Sequence, residues 1–237
     1  MPLNFTMSNI GSEIYDALIA KDRYQYIVSG LGVTLLITVF AVLIGVVLGT
    51  LVSLVKVAHS ENPKKFRVLN AVGTIYLTVI RGTPVVVQLM IMYYIILGLT
   101  NVDKIITAIL AFGINSGAYV AEVIRSGILS VDRGQMEAGR SLGLSHRTTM
   151  VKIVFPQALK NVLPAIGNEF ISLLKETSVA GYIGIADLTK GGDIIRSQTF
   201  QPYTPLLTTA AVYLVIVIGL SSLLSKLERR LRRSDYR

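Results

Sequence analysis

Ser29 to Val55 runs for 27 residues without a charged side chain. A helix needs about 20 apolar residues to cross a bilayer core, and there every backbone N–H and C=O must be bonded within the protein. This run therefore constrains the chain twice, to a membrane and to a helix. Gly82 to Val102 (21 residues) centres a second charge-free span, and Ile105 to Ala121 (17 residues) a third that closes on Glu122 and Arg125. A fourth, about Val154 to Leu174, is broken by Pro156 and Pro164 and carries Lys160, Glu169 and Lys175. The fifth lies within Ser197 to Ser225, 29 residues free of charge. The expected fold class is all-α, an integral membrane helical bundle with five core transmembrane helices. Composition agrees: 16% charged residues against roughly 25% in soluble domains.

The cations between the spans are unevenly shared. Lys56, Lys64, Lys65, Arg67, Arg133, Arg140, Arg147, Lys152 and the tail residues Lys226, Arg229, Arg230, Arg232, Arg233 and Arg237 fall on one side. Lys21, Arg23, Lys104, Lys190 and Arg196 fall on the other. The excess of basic residues marks the cytoplasmic side, so the N-terminus is expected outside and the C-terminus inside. The expected divisions are an extracytoplasmic segment 1–28, a transmembrane domain 29–226 and a basic cytoplasmic tail 227–237. Within 1–28 a short amphipathic helix is expected around Ile14 to Ile19. No basic start followed by an apolar core marks a cleavable signal.

Several function classes drop out. The chain has no cysteine, which excludes disulfides, iron–sulfur clusters and thiol catalysis. His59 and His146 have no ligand-like spacing, so no metal site is expected. The net charge of +9 is placed at membrane edges, which argues against nucleic acid. No Gly-x-x-x-x-Gly-Lys-Ser/Thr loop occurs, so the chain is expected to bind no nucleotide cofactor itself.

The longest connection, Gly127 to Lys152, exceeds the usual loop length of about 12 to 15 residues, which points to function or disorder. It has helical character. Gln135 to Leu142 favours a short helix with Asp132 as a possible N-cap. Gly143 falls where a helix ends in a left-handed residue. Ala138, Gly139 and Leu142 make a small-residue face that a partner backbone can approach closely, edged by Glu137 and Arg140. A second helix starts after Ser145. By residues alone, a cap on the membrane bundle and a docking helix both fit. A helix-turn-helix does not, because its next helix runs into a membrane span.

Glu137-Ala138-Gly139, Gly143 and Ile153-Val154-Phe155-Pro156 resemble, interval for interval, the EAA loop of ABC importer permeases. Gly139 stands for the second Ala of that pattern and Phe155 for its Leu. Arg81-Gly82-Thr83-Pro84 with Gln88, Gly117-Ala118-Tyr119 with Glu122 and Arg125, and Gly167-Asn168-Glu169-Phe170 with Lys175-Glu176-Thr177-Ser178 resemble the polar-amino-acid branch, the histidine, arginine, glutamine and cystine importers. The likeness covers about Val28 to Lys226. It implies the type I importer permease fold with a cytoplasmic coupling helix. It also implies pairing with a second permease subunit, homodimer or related heterodimer, an ABC ATPase pair that holds ATP and magnesium, and an extracytoplasmic amino-acid-binding protein. Gln135, Glu137, Ala138, Gly139, Arg140, Leu142 and Gly143 are then expected at the ATPase.

Substrate-pathway candidates are Arg81, Gly82, Thr83, Pro84, Gln88, Glu122, Glu169 and Lys175. A charge at mid-span costs about 2.5 to 3.5 kcal/mol on insertion scales and usually faces a cavity or a partner. Gly82 and Pro84 can interrupt a helix, leaving backbone N–H groups as a site for a carboxylate. Glu169 suits an amino group or a cationic side chain. Lys175 suits Glu122, Glu176 or a carboxylate. Against these stand plainer roles: Arg81 snorkelling to the interface, Glu122 and Arg125 as an internal pair, and Gly45 and Gly49 as helix packing. The Arg-rich tail anchors the last helix to lipid headgroups. The expected function is ATP-driven import of a polar, possibly basic, amino acid by a non-enzymatic subunit. The alternative is an ion-gradient-driven transporter or channel.

Overall fold

A computed structural model describes residues 10–232. The first part of the external segment, and Arg233 and Arg237 of the tail, lie outside the described residues. The chain opens with a short helix α1 (Ile10–Ile14) that continues as a π-helical turn over Tyr15–Ile19, where the amphipathic pattern places it. The long apolar run lies within α2 (Tyr24–Glu61), about 57 Å at 1.5 Å per residue. After a tight connection come α3 (Arg67–Arg81) and α4 (Val85–Ile91), the latter extended by a π turn Met92–Ile96. Next are α5 (Lys104–Leu129), α6 (Arg133–Ser141) and α7 (His146–Thr149), which passes through a π turn Met150–Val154 into α8 (Phe155–Glu176). A 3₁₀ segment Thr177–Ile183 leads to α9 (Leu188–Thr199), and α10 (Tyr203–Arg232) closes the described chain.

Among the described residues, α2, α5 and α10 are each long and apolar enough to cross a membrane. α3 and α4 with its π turn qualify together, but they are bent by 109°. This corrects the second span. The charge-free run 82–102 begins at the break, and the helix before it, α3, is too closely flanked by Arg67 and Arg81 to stand out as uncharged. The fourth span is corrected too, since α8 is unbroken. Pro156 lies in its first turn and Pro164 stays within it. Proline is tolerated at a helix start because that N–H has no intrahelical partner. The charges Lys160, Glu169, Lys175 and Glu176 lower the hydropathy of α8. The short α9, set apart from the last span, has no counterpart in the charge-free pattern.

The bundle is built on α2 against α5. A Cβ on Gly45 would lie 2.8 Å from Ser116 Oγ, and one on Gly49 would lie 2.7 Å from Val120 Cβ. Gly113 meets Ile44 in the same way. Small residues thus let the two backbones approach, the usual device where lipid removes the hydrophobic drive. The main core joins Ile37 and Ala41 of α2, Leu89 of α4, Ala108 and Phe112 of α5 and Leu173 of α8. α9 rides on the first half of α2. Its N-cap Asp187 is fully buried and accepts hydrogen bonds from Thr189 N–H (3.0 Å) and Lys190 N–H (3.2 Å). Leu188 N–H donates to Thr34 Oγ1 of α2. α10 leaves most of its apolar side chains exposed, among them Leu207, Leu214, Val215 and Leu223.

Candidate functional site

The polar elbow between α5 and α8 is a folded unit. Asp132 caps α6 by accepting from Gly134 N–H. Gly143 ends it at φ +82°, and Leu144 N–H reaches back to the Gly139 carbonyl at 3.1 Å. Ser145 then caps α7 through Thr148 N–H. Glu137, Ala138, Arg140 and Gly143 are exposed, and Leu142 protrudes at 81%. Gly139 differs. It is buried, and a Cβ there would lie 2.5 Å from Thr149 Cγ2 and 3.2 Å from Ile153 Cδ1. The expected small-residue face is therefore split. Ala138 and Leu142 look outward, while Gly139 admits the chain's own next turn rather than a partner. The elbow is also tied to α8, since Gln157 Nε2 donates to Gln135 Oε1 (3.3 Å) and Asn161 Nδ2 to Ser130 Oγ (3.0 Å).

A second polar group lies where α3 breaks. Gly82 caps α3, Pro84 stands extended at φ −64° and ψ 136°, and α4 starts at Val85. A broken helix strands backbone carbonyls, which must find donors. The Gln88 amide supplies them, donating to Ile80 O (2.7 Å), Thr83 O (3.0 Å) and Thr83 Oγ1 (2.8 Å). Asn115 Nδ2 of α5 in turn donates to Gln88 Oε1 (2.9 Å). Gln88 is thus committed to the bend. From the neighbouring positions on α5, Ser116 Oγ donates to Glu169 Oε1 of α8 (2.9 Å), and the Ile114 carbonyl accepts from Tyr76 Oη of α3 (2.6 Å).

Arg81, Glu122 and Arg125 come together beside this bend. Arg125 Nη2 lies 2.6 Å from Glu122 Oε1, the internal pair that their spacing suggests. Arg81 Nη1 lies 4.0 Å from Glu122 Oε2, and its guanidinium stands 5.7 Å from the centre of the Tyr119 ring. All three charged side chains are partly exposed. Lys175 is not with them. It opens on a groove of about 560 Å³ formed with Ser178, Thr189, Thr209 and Tyr213, and Glu122 is occupied by the two arginines. Asn115 and Ser116 went unnoticed in the sequence. Their signal was available, since they are adjacent polar residues inside an otherwise apolar run, and so was the second small-residue pair Gly113 and Gly117.

Membrane-length helices, a bent pair and hydrogen-bonded polar groups held inside the bundle are the construction of a membrane permease. The family model described as "Binding-protein-dependent transport system inner membrane component" matches residues 58–233, and the chain belongs to that family. It is 37% identical over 215 residues to the arginine transport system permease protein ArtQ of Bacillus subtilis (strain 168), covering 90% of this chain and 95% of that one. It is 36% identical over 209 residues to the glutamine transport system permease protein GlnP of Escherichia coli (strain K12), covering 87% and 93%. The crystal structure of an amino acid ABC transporter with histidines superposes with a TM-score of 0.80 at 44% identity, over 87% of this chain and 94% of that one. The MetNI methionine ABC transporter shares the fold at a TM-score of 0.71 and 21% identity, over 90% and 99%. The all-α bundle is thus the type I ABC importer permease fold.

Proposed function

We propose that this chain is the membrane-spanning subunit of an ATP-driven importer for a polar amino acid, working by alternating access. Its partners in this reading are an ATPase pair that holds ATP and magnesium, a second permease subunit and an extracytoplasmic amino-acid-binding protein. The N-terminus lies outside and the C-terminus in the cytoplasm, with α8 as the fourth of five spans and α10 as the fifth. The observation that carries the reading is the elbow: a capped helix that projects Leu142 and Glu137 outward while Gly139, Gln135 and Ser130 fasten it to the bundle. ATP binding would close the ATPase pair and move α6, and the bundle would reopen outward. Glu169, half-buried beside Ser116, is the residue assigned to a substrate amino group or cationic side chain. Arg81, Glu122 and Arg125 line the inner part of the path.

The test is Glu137→Arg in the assembled importer reconstituted with its binding protein. Substrate-stimulated ATP hydrolysis should be abolished while the permease remains folded and membrane-inserted. Normal stimulation in that variant would remove α6 from the docking surface.

A further inference from the structure

α2 and α3 leave an apolar cleft of about 400 Å³ between them. Leu48, Val52 and Val55 of α2 form one wall, and Leu69, Val72 and Tyr76 of α3 the other. Gly73 lines the cleft without filling it, since the nearest atom to a Cβ there is Val52 Cγ1 at 3.5 Å. From Leu69 to Tyr76 the cleft follows α3 for about 10 Å at 1.5 Å per residue. The deep end holds no unsatisfied polar group there, because the Tyr76 hydroxyl is spent on the Ile114 carbonyl.

The shallow end is basic. Lys56 follows Val55 and bonds Thr74 Oγ1 of α3 at 2.9 Å, beside the body of the cleft rather than at its end. The connection beyond carries exposed Lys64, Lys65 and Arg67. It is held in shape by His59 Nδ1 against the Lys65 carbonyl (2.8 Å), by Lys64 N–H donating to Asn62 Oδ1 (3.1 Å), and by a left-handed Phe66 at φ +53°. The Phe66 ring is half exposed between those cations, as aromatic residues are at a membrane–water interface.

We propose that this cleft is a binding site for an anionic phospholipid. One acyl chain lies between α2 and α3, and the phosphate sits among Lys64, Lys65 and Arg67. Chain and headgroup thereby meet an apolar slot and a cationic rim in the order in which a bilayer presents them. A zwitterionic lipid fills the slot equally well and lacks the net charge that the rim selects. The inference does not depend on what the permease carries.

The experiment uses the complete importer purified in detergent, with dioleoylphosphatidylglycerol, dioleoylphosphatidylcholine or glycerol phosphate added. Bound lipid is counted by native mass spectrometry and the thermal midpoint is followed in parallel. Phosphatidylglycerol should be retained and should raise the midpoint. A cation near a membrane surface is worth roughly a fivefold change in affinity, so the triple variant Lys64→Ser, Lys65→Ser, Arg67→Ser should bind it about 100-fold more weakly. Gly73→Leu, with the rim intact, should lose it by filling the slot. Equal retention of phosphatidylcholine, unchanged binding in either variant, or an equal effect from glycerol phosphate would each overturn the proposal. So would an absence of bound lipid in the complex, which would assign the cleft to a protein neighbour.

Discussion

Gly139→Ala tests the elbow most directly, because the family pattern carries Ala where this chain has Gly. A Cβ at this position would stand 2.5 Å from Thr149 Cγ2 and 3.0 Å from Thr149 Oγ1. Carbon atoms rest at about 3.5 to 4.0 Å, so α6 or Thr149 must yield by roughly 1 Å. Thr149 cannot turn away freely, since it is fully buried and its hydroxyl donates to the Ser145 carbonyl at 3.0 Å. Overpacking of this kind costs about 1 to 3 kcal/mol. The better helix propensity of Ala offsets about 0.5 to 1 kcal/mol of it. The net expectation is a loss of about 1 to 2 kcal/mol, or an outward shift of α6 that misaligns Glu137 and Leu142. Thr149→Ser deletes the offending methyl and keeps the hydroxyl. The double variant should therefore recover, with a coupling of at least about 1 kcal/mol in the cycle. The assays are thermal unfolding of the permease and substrate-stimulated ATP hydrolysis in proteoliposomes. A Gly139→Ala importer with unchanged midpoint and coupling, or a double variant no better than the single, would refute the argument.

Three further outcomes are expected. Gln88→Leu strands the Ile80 and Thr83 carbonyls and should lower permease stability by about 1 to 3 kcal/mol; lost uptake with an unchanged unfolding midpoint would make Gln88 a substrate contact instead of the clasp of the bend. Glu169→Gln should reduce uptake of cationic substrates more than neutral ones, and equal losses in a competition assay would take Glu169 out of the side-chain pocket. At α9, Asp187→Ala should cost about 1 kcal/mol of N-cap stability and Asp187→Asn much less. Burial pushes the Asp187 carboxyl up, against the lowering effect of hydrogen bonds from Thr189 and Lys190. The folded state therefore holds the proton more tightly, and this contribution is full below the unfolded value near 3.9 and is lost as pH rises through the folded one. Wild type should thus lose stability relative to Asp187→Asn as pH rises above the unfolded carboxylate value, and parallel unfolding profiles would contradict the assignment.

Hydropathy made the helices legible only where apolar content alone builds them. The 27-residue run lies inside α2 and the 29-residue run overlaps most of α10, because a bilayer asks for little beyond length and apolarity. α3 escaped because Arg67 and Arg81 bracket it. The continuity of α8 escaped because Pro156 and Pro164 read as breaks, whereas one occupies the first turn and the other is absorbed within the helix. At the elbow, Asp132, Gly143 and Ser145 announced their caps through local chemistry. The inward turn of Gly139 was not legible, since it depends on where Thr149 comes to rest. The same limit hid the Gln88–Asn115 and Ser116–Glu169 pairs, which join residues 27 and 53 positions apart.

α8 runs unbroken from Phe155 to Glu176 and is fastened to α6 in its first turn, where Gln157 meets Gln135. At 1.5 Å per residue it is about 33 Å long. A swing of about 5° pivoting at the elbow would carry Glu176 through about 3 Å, about the width of a water molecule. If α6 moves as proposed, a small rocking at that joint would be enough to open or shut an aperture at the far end of α8, with no need to unwind a turn along the way.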